Sequence, residues 1–299
     1  MTSTPLQPKA PTQPRRTKHF LIFLAFLLTL AAAMEGAARL YCARTQSPML
    51  QTTLRDYGRL ANNDFSHFRF IPGEFLSYRL KPGFSTTSAQ GKPMTRHNAL
   101  GFRGDPVQIV PEEGVYRIIC IGGSTTYGVG VEKNEATYPA VLERFLNTSS
   151  KLPGGQRVEV LNLGVGGYTA RDAMLNLLHH GLPLKPDAVL IHSAINDVAP
   201  RFYPDFRCDY EHFRKTMTPL ATDPFKRTLC HSKLLLLSAY AIGRIGPLTL
   251  QAQTQYPLPP TDEALANLDQ NGTNCYREHL TAAIRMARDS GADVWLLTQ

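Results

Sequence analysis

The chain lacks the signatures of several large functional classes. Its five cysteines, Cys42, Cys120, Cys208, Cys230 and Cys275, include no pair at metal-ligand spacing, which argues against a structural zinc site. There is no dense basic stripe interleaved with aromatics, so no nucleic-acid partner is expected. The formal charge of +8 does not change that reading, because Lys9, Arg15, Arg16 and Lys18 sit in the first 18 residues with no acid among them. Removing those four from the 32 basic residues leaves 28 against 24 acidic ones, about +4. The glycine-rich stretch Gly122 to Gly128 lacks the Gly-Lys-Ser/Thr ending of a P-loop and is not Gly-x-Gly-x-x-Gly, so no nucleotide cofactor is expected. What the chain does have is an apolar fraction of 43% with 19% charged residues, the balance of an ordinary globular protein.

The N-terminus is the exception to that balance. Residues 1–18 are rich in Pro, Thr and Gln and are expected to be disordered. Phe20 to Met34 carries no charge, and apolar character resumes past Glu35 in Gly36-Ala37-Ala38 and Leu40-Tyr41, with Arg39 able to snorkel to the far interface. Basic residues ahead of this run predict that its start stays in the cytoplasm and the bulk of the chain is exported, to the periplasm or outside the cell. Two readings stand. One is a single-pass transmembrane signal anchor over 19–41. The other is a cleaved signal peptide, for which Ala31-Ala32-Ala33 offers small residues. The renewed apolar character favours the anchor. In an oxidising compartment Cys208, Cys230 and Cys275 can supply one disulfide, and spacing does not select the pair. Cys120 reads as a small buried hydrophobe.

Residues 42–107 show little periodicity and read as a connecting region, with a glycine-punctuated loop over Arg96 to Gly104. From about residue 108 strands and helices alternate. Near-continuous apolar strands are predicted over Tyr116–Ile121, Val158–Leu163, Asp187–His192 and Asp293–Leu297. Amphipathic helices follow Thr137 and Thr169, both good caps, and a third ends near Gly291. That alternation predicts a parallel sheet covered on both faces, over 108–299. Val198 to about Gly272 interrupts the rhythm. Leu234 to Leu237 within it is too short to span a membrane and is expected to cover the core. Strand four finishes almost at Gln299, and a parallel sheet seldom stops on an uncovered strand, so a C-terminal truncation is expected.

Three strand ends carry polar residues that do not help a core: Gly122-Gly123-Ser124-Thr125, Asn162-Leu163-Gly164 and Ala194-Ile195-Asn196-Asp197. On adjacent strands these bring a hydroxyl, a glycine amide and an asparagine amide to one rim, where open α/β sheets bind ligands. That set suits acyl transfer. Ser124 is the candidate nucleophile, and the Ser124 N–H, the Gly164 N–H and the Asn196 amide are candidate donors to an oxyanion. A purely structural turn at Ser124 and a loop-starting role for Asn196-Asp197 are the plainer readings of each motif alone.

In these three blocks the sequence resembles the SGNH/GDSL hydrolases, with Gly123 where the commoner form has Asp and Ala194 in place of the usual Gly. Arg96 to Gly104 is similar to a segment of membrane-anchored bacterial members. The resemblance covers about residues 112–299. It implies a flavodoxin-like three-layer α/β/α sandwich of about five parallel strands, and hydrolysis or transfer of acyl esters on lipids, glycans or small molecules. It also implies a last strand and an Asp-x-x-His block that would supply the general base, neither of which is present in 1–299. The Asp-x-x-His that does occur, Asp209-Tyr210-Glu211-His212, lies soon after the third block and is not expected to serve. The expected function is thus an exported serine esterase on acyl-ester substrates. The alternatives are a non-catalytic glycan- or acyl-ligand-binding scaffold and an O-acyltransferase on envelope polysaccharide.

Overall fold

The computed structural model describes residues 15–62, 64, 68–88, 91, 93–149, 155–213, 228–246 and 258–298. Most of the expected disordered tail lies outside the described residues. The helices in chain order are α1 (Arg15–Arg44), α2 (Pro48–Ala61), α3 (Ser124–Tyr127), α4 (Tyr138–Ser149), α5 (Ala170–Asn176), α6 (Lys233–Ala241), α7 (Thr261–Asn271) and α8 (Asn274–Asp289). The strands are β1 (Phe70–Ile71), β2 (Arg79–Leu80), β3 (Ser85–Thr87), β4 (Pro93–Arg96), β5 (Val115–Gly122), β6 (Arg157–Asn162), β7 (Ala188–His192) and β8 (Asp293–Leu296). The chain divides into two compact units, residues 1–62 with 224–248 and residues 63–223 with 249–299.

The larger unit is an α/β/α sandwich. Its parallel sheet has the order β6-β5-β7-β8, so the first strand in sequence is central and the chain crosses over it. Alternate residues of the strands face opposite layers, as the two-residue period of a strand requires. Ile119, Ile121, Val189 and Ile191 pack with Ala173 and Leu177 from α5 and its continuation, and with Ala283 and Ala287 of α8. Ile118, Cys120, Val160 and Leu190 pack with Tyr138, Leu142 and Leu146 on the α4 side. Each such aliphatic side chain, fully buried, contributes about 1.5–3 kcal/mol. Thr169 caps α5 as expected, in a box where its N–H donates to Asp172 (2.8 Å) and its hydroxyl accepts from the Asp172 N–H.

The free edge of β6 is closed by α4. The Val160 N–H donates to Glu143 (2.7 Å), and Asn147 both accepts from the Val158 N–H (2.9 Å) and donates to the Val158 carbonyl (2.8 Å). The floor of the sheet is tied by Arg117, which is 1% exposed. Its guanidinium donates to Glu159 at 2.6 Å and to the carbonyls of Gln108, Ile109 and Leu184 at 2.9, 3.0 and 2.7 Å.

The smaller unit holds α1, α2 and α6. The 27 residues Lys18–Arg44 of α1 have a mean hydropathy of 2.1 in their most apolar window and are long enough to cross a membrane. The expected connecting region is corrected here. Its start folds as α2, capped by Ser47 with Pro48 in the first turn, and belongs with α1. Residues 63–107 belong to the α/β unit, where β1 pairs with β2 and β3 with β4. Leu234 to Leu237 form part of α6 in the smaller unit.

The disulfide joins Cys208 to Cys275, with Cα atoms 5.2 Å apart, while Cys230 is buried and free. It closes a loop with a sequence separation of 67 residues. Chain-entropy arguments give a loop of that size about 4 kcal/mol. Replacing Cys275→Ser is expected to lower unfolding free energy by roughly 2–4 kcal/mol in denaturant titrations, and dithiothreitol should produce the same loss in the wild type but none in the variant.

Candidate active site

Register brings the three polar strand ends together. Gly122 pairs with His192 and Cys120 with Asn162 across the parallel sheet. Gly122 has φ 153°, and a Cβ there would collide with the His192 carbonyl and lie 2.5 Å from the Thr126 hydroxyl. Only glycine lets the chain leave β5 this closely. Ser124 then opens α3, part-exposed at the rim, and its N–H is the first of a helix and so has no intrahelical acceptor.

Asn196 lies directly beside this turn. Its Nδ2 is 2.6 Å from where a Gly123 Cβ would be, and it donates to the Tyr168 carbonyl at 2.8 Å. Ser124, Tyr168, His192 and Asn196 line one small cavity. An amide nitrogen carries two hydrogens, and the Tyr168 carbonyl takes one of them. Asp197 next to it is 3% exposed and has another task. Its carboxylate accepts from the Ala170 N–H at 2.9 Å, at the start of α5, and from the Tyr210 hydroxyl at 2.9 Å.

Gly164 is placed differently from the expectation. Its N–H donates to Asn162 Oδ1 at 3.0 Å, and a Cβ on it would strike the Tyr127 nitrogen and lie 2.6 Å from the Thr126 backbone carbon. Glycine is needed at 164 so that the β6–α5 loop can pass under α3, and its N–H is committed there rather than offered at the cavity. The part of this loop that does line the cavity is Tyr168.

His212 is also otherwise engaged. One ring nitrogen lies 3.0 Å from the Pro200 carbonyl and the other accepts from the Arg207 N–H at 3.3 Å. Among the described residues no histidine is bonded to the Ser124 hydroxyl. His192 packs edge-on against Tyr138, with ring centroids 6.2 Å apart. His179 stacks on Phe75, and His180 meets Asn176 Oδ1 at 3.1 Å.

Sequence reasoning missed the support behind the turn. Arg103 is 3% exposed, and its guanidinium donates to the carbonyls of Tyr127 (3.1 Å), Gly128 (2.8 Å), Val131 (2.6 Å) and Glu132 (3.3 Å) and to Asn134 Oδ1 (3.0 Å). One side chain thus holds the whole segment that follows α3. His97 braces the same segment. Its Nδ1 lies 2.9 Å from the Lys81 carbonyl, an obligate acceptor, so Nδ1 carries the proton and Nε2 accepts from the Tyr127 hydroxyl at 3.0 Å. Tyr78 does the corresponding work on the neighbouring loop, donating to the Gly166 carbonyl at 2.7 Å and accepting from the Tyr168 hydroxyl through its own carbonyl at 2.6 Å. The Arg96–Gly104 loop was visible in the sequence as a tight turn. That its arginine points inward was not.

A parallel α/β/α sandwich with polar loops gathered at the carboxyl ends of its first three strands is the architecture of the SGNH hydrolases. The chain belongs to the GDSL-like lipase/acylhydrolase family, which residues 120–298 match. An acetylxylan esterase from Xylanibacter ruminicola is 31% identical over 131 residues, covering 39% of this chain and 25% of the relative. The chain therefore spans about a quarter of that curated relative's length. Among solved structures, the SGNH-hydrolase family esterase AlinE4 is 17% identical, with 62% of this chain and 77% of that chain covered at a TM-score of 0.27. Axe2, an acetylxylan esterase from Geobacillus stearothermophilus crystallised as a catalytic mutant, is 18% identical, with 60% and 74% covered at a TM-score of 0.26.

Burial, reinforced by the nearby Arg69 and Arg103, pushes the His97 pKa down from 6.5 to about 4. The unfolded chain therefore binds the proton that the folded chain refuses, and stability falls as pH drops through the window from 6.5 to about 4. The full effect is of order 3 kcal/mol. His97→Gln is expected to flatten this part of the pH–stability curve measured by urea unfolding; an unchanged slope would show that His97 titrates as freely folded as unfolded.

Proposed function

We propose that this protein is a serine esterase acting on acyl esters outside the cytoplasm, with Ser124 as nucleophile and the Ser124 N–H and the Asn196 side-chain amide as donors to the oxyanion. The observation that carries the reading is the seat of Asn196, whose Nδ2 lies against Gly123 with one hydrogen bound by Tyr168. The other is available to a carbonyl oxygen arriving over Ser124. A neutral donor in that position stabilises negative charge as it develops without competing for the nucleophile's proton. Gly164 is the expected third donor; in the structure its N–H rests on Asn162 Oδ1 at 3.0 Å. The Ser124 hydroxyl attacks the ester carbonyl as a base takes its proton, that proton passes to the departing alcohol, and water deprotonated by the same base releases the acyl group from Ser124; no described histidine is bonded to Ser124 to act as that base.

Family membership supports ester chemistry, and the similarity to an acetylxylan esterase favours a short acyl group carried on a glycan. Export is supported by the one described helix long and apolar enough to cross a membrane, with basic residues ahead of it.

A fluorophosphonate probe applied to the full chain is expected to label the wild type and not Ser124→Ala. Equal labelling of both, or of neither, overturns the assignment. Asn196→Ala should keep its fold and KM for an aryl acetate while kcat falls about 10²–10³-fold, the usual loss for one oxyanion donor.

A further inference from the structure

The smaller unit holds a carboxylate in a place that demands explanation. Glu35 lies within the membrane-length helix α1, 17 residues past Lys18, which is about 25 Å along the axis. A bilayer core is about 30 Å thick. If α1 enters the core near Lys18, Glu35 arrives just short of the far boundary, where an unsatisfied carboxylate is expensive.

It is not unsatisfied. Its oxygens accept from the Ser232 hydroxyl at 2.8 Å, the Lys233 N–H at 3.0 Å, the Leu234 N–H at 3.0 Å and Arg39 Nε at 2.8 Å. Arg39 also donates to the His231 carbonyl at 3.4 Å. These bonds span almost 200 residues of sequence, and they fix the first turn of α6 to one level of α1. The buried or part-buried positions Ala38 and Cys42 follow Glu35 along the same ridge of α1. The nine residues of α6 extend about 13 Å, so none of them lies further than that from the level of Glu35.

On and beside α6, large apolar side chains face outward, with Ser238 exposed among them. Leu235 is 46% exposed, Ile242 just past its end 72% and Leu229 just before it 40%. The described residues 35–62 and 228–246 of this unit carry Arg39, Arg44, Arg55, Arg59, Lys233 and Arg244 against only Glu35 and Asp56. Exposed leucine and isoleucine at a fixed membrane depth, in a unit with this excess of arginine and lysine, match the boundary between acyl chains and anionic headgroups.

We infer that α6 is an interfacial helix, clamped by Glu35 to the end of the membrane span, and that its partner is an anionic lipid surface. The inference rests on the reading of α1 as a membrane span. The protein would then grip the bilayer twice, once through α1 and once through a segment that returns from residues 224–248.

The test uses the full chain in vesicles of phosphatidylcholine and phosphatidylglycerol. Trp295→Phe removes the only tryptophan, and Leu235→Trp places a single reporter on α6. An alkaline carbonate wash is applied first. A chain that washes off overturns the membrane-span reading, and this inference with it. A chain that stays embedded isolates the second question. Lipids brominated near the headgroup end of their acyl chains are expected to quench the reporter's indole emission roughly by half, and lipids brominated near the bilayer centre much less. Glu35→Ala should abolish most of that quenching and expose the indole to aqueous iodide, while Glu35→Gln, which keeps an acceptor, should retain part of it. An embedded chain whose reporter is reached by iodide and not by bromolipid overturns the inference. So does a reporter shielded from both, which would mean a protein partner, and so does quenching indifferent to Glu35.

Discussion

A single buried guanidinium holds the candidate site in shape. Arg103 faces four backbone carbonyls and the Asn134 amide, and those carbonyls belong to the segment that leads away from Ser124. Buried carbonyls without donors cost about 1–3 kcal/mol each, and so does an arginine without acceptors, so each side satisfies the other. Lysine has three donors on one atom and cannot spread them over an arc of chain; the planar fork of arginine can. The stacking of Arg103 over Tyr127, 5.0 Å from the ring centroid, adds a second constraint on the same helix. The position of the Ser124 hydroxyl therefore depends on a residue some twenty positions upstream, in a loop outside the matched family region of 120–298.

This explains why residues 63–107 fold with the sheet rather than acting as a tether. Arg103 and His97 brace the first polar loop, and Tyr78 braces the second through paired bonds to Gly166 and Tyr168. Both loops would otherwise be glycine-rich turns with little to fix them. Glycine allows the close backbone approach at 122 and 164, and the upstream segment supplies the rigidity that glycine gives up.

Much of the fold was legible in the sequence because it is written locally. The period of Tyr116–Ile121 and its three counterparts, and the cap Thr169, need only neighbouring residues to be read. The meeting of Ser124 and Asn196 was legible through topology, since consecutive parallel strands end at the same rim. What was missed is written non-locally. Nothing near Arg103 says that it faces inward, and nothing near Leu234 says that it answers Glu35. Nor does the spacing of Asn162 and Gly164 announce that the Gly164 N–H donates to Asn162 Oδ1. The helix α2 was overlooked for another reason: Leu50, Leu54 and Tyr57 do keep helical spacing, but glycine- and proline-rich stretches after it dominated the reading of the region. The pairing of Cys208 with Cys275 over Cys230 follows from the division into units, which cysteine spacing does not reveal.

The way α4 closes the edge of β6 reaches beyond local geometry. An open edge is a template onto which another extended segment, from this chain or a neighbour, can add. Glu143 and Asn147 occupy the two ladder positions at Val160 and Val158 with side chains, and a side chain cannot propagate a sheet. These two residues do not line the cavity that holds Ser124, so a family comparison of active-site blocks would pass over them. Their effect belongs to the crowded moments after synthesis, when half-folded copies meet: α4 keeps the sheet from recruiting a stranger's strand, and so favours a dispersed protein over a fibrous one.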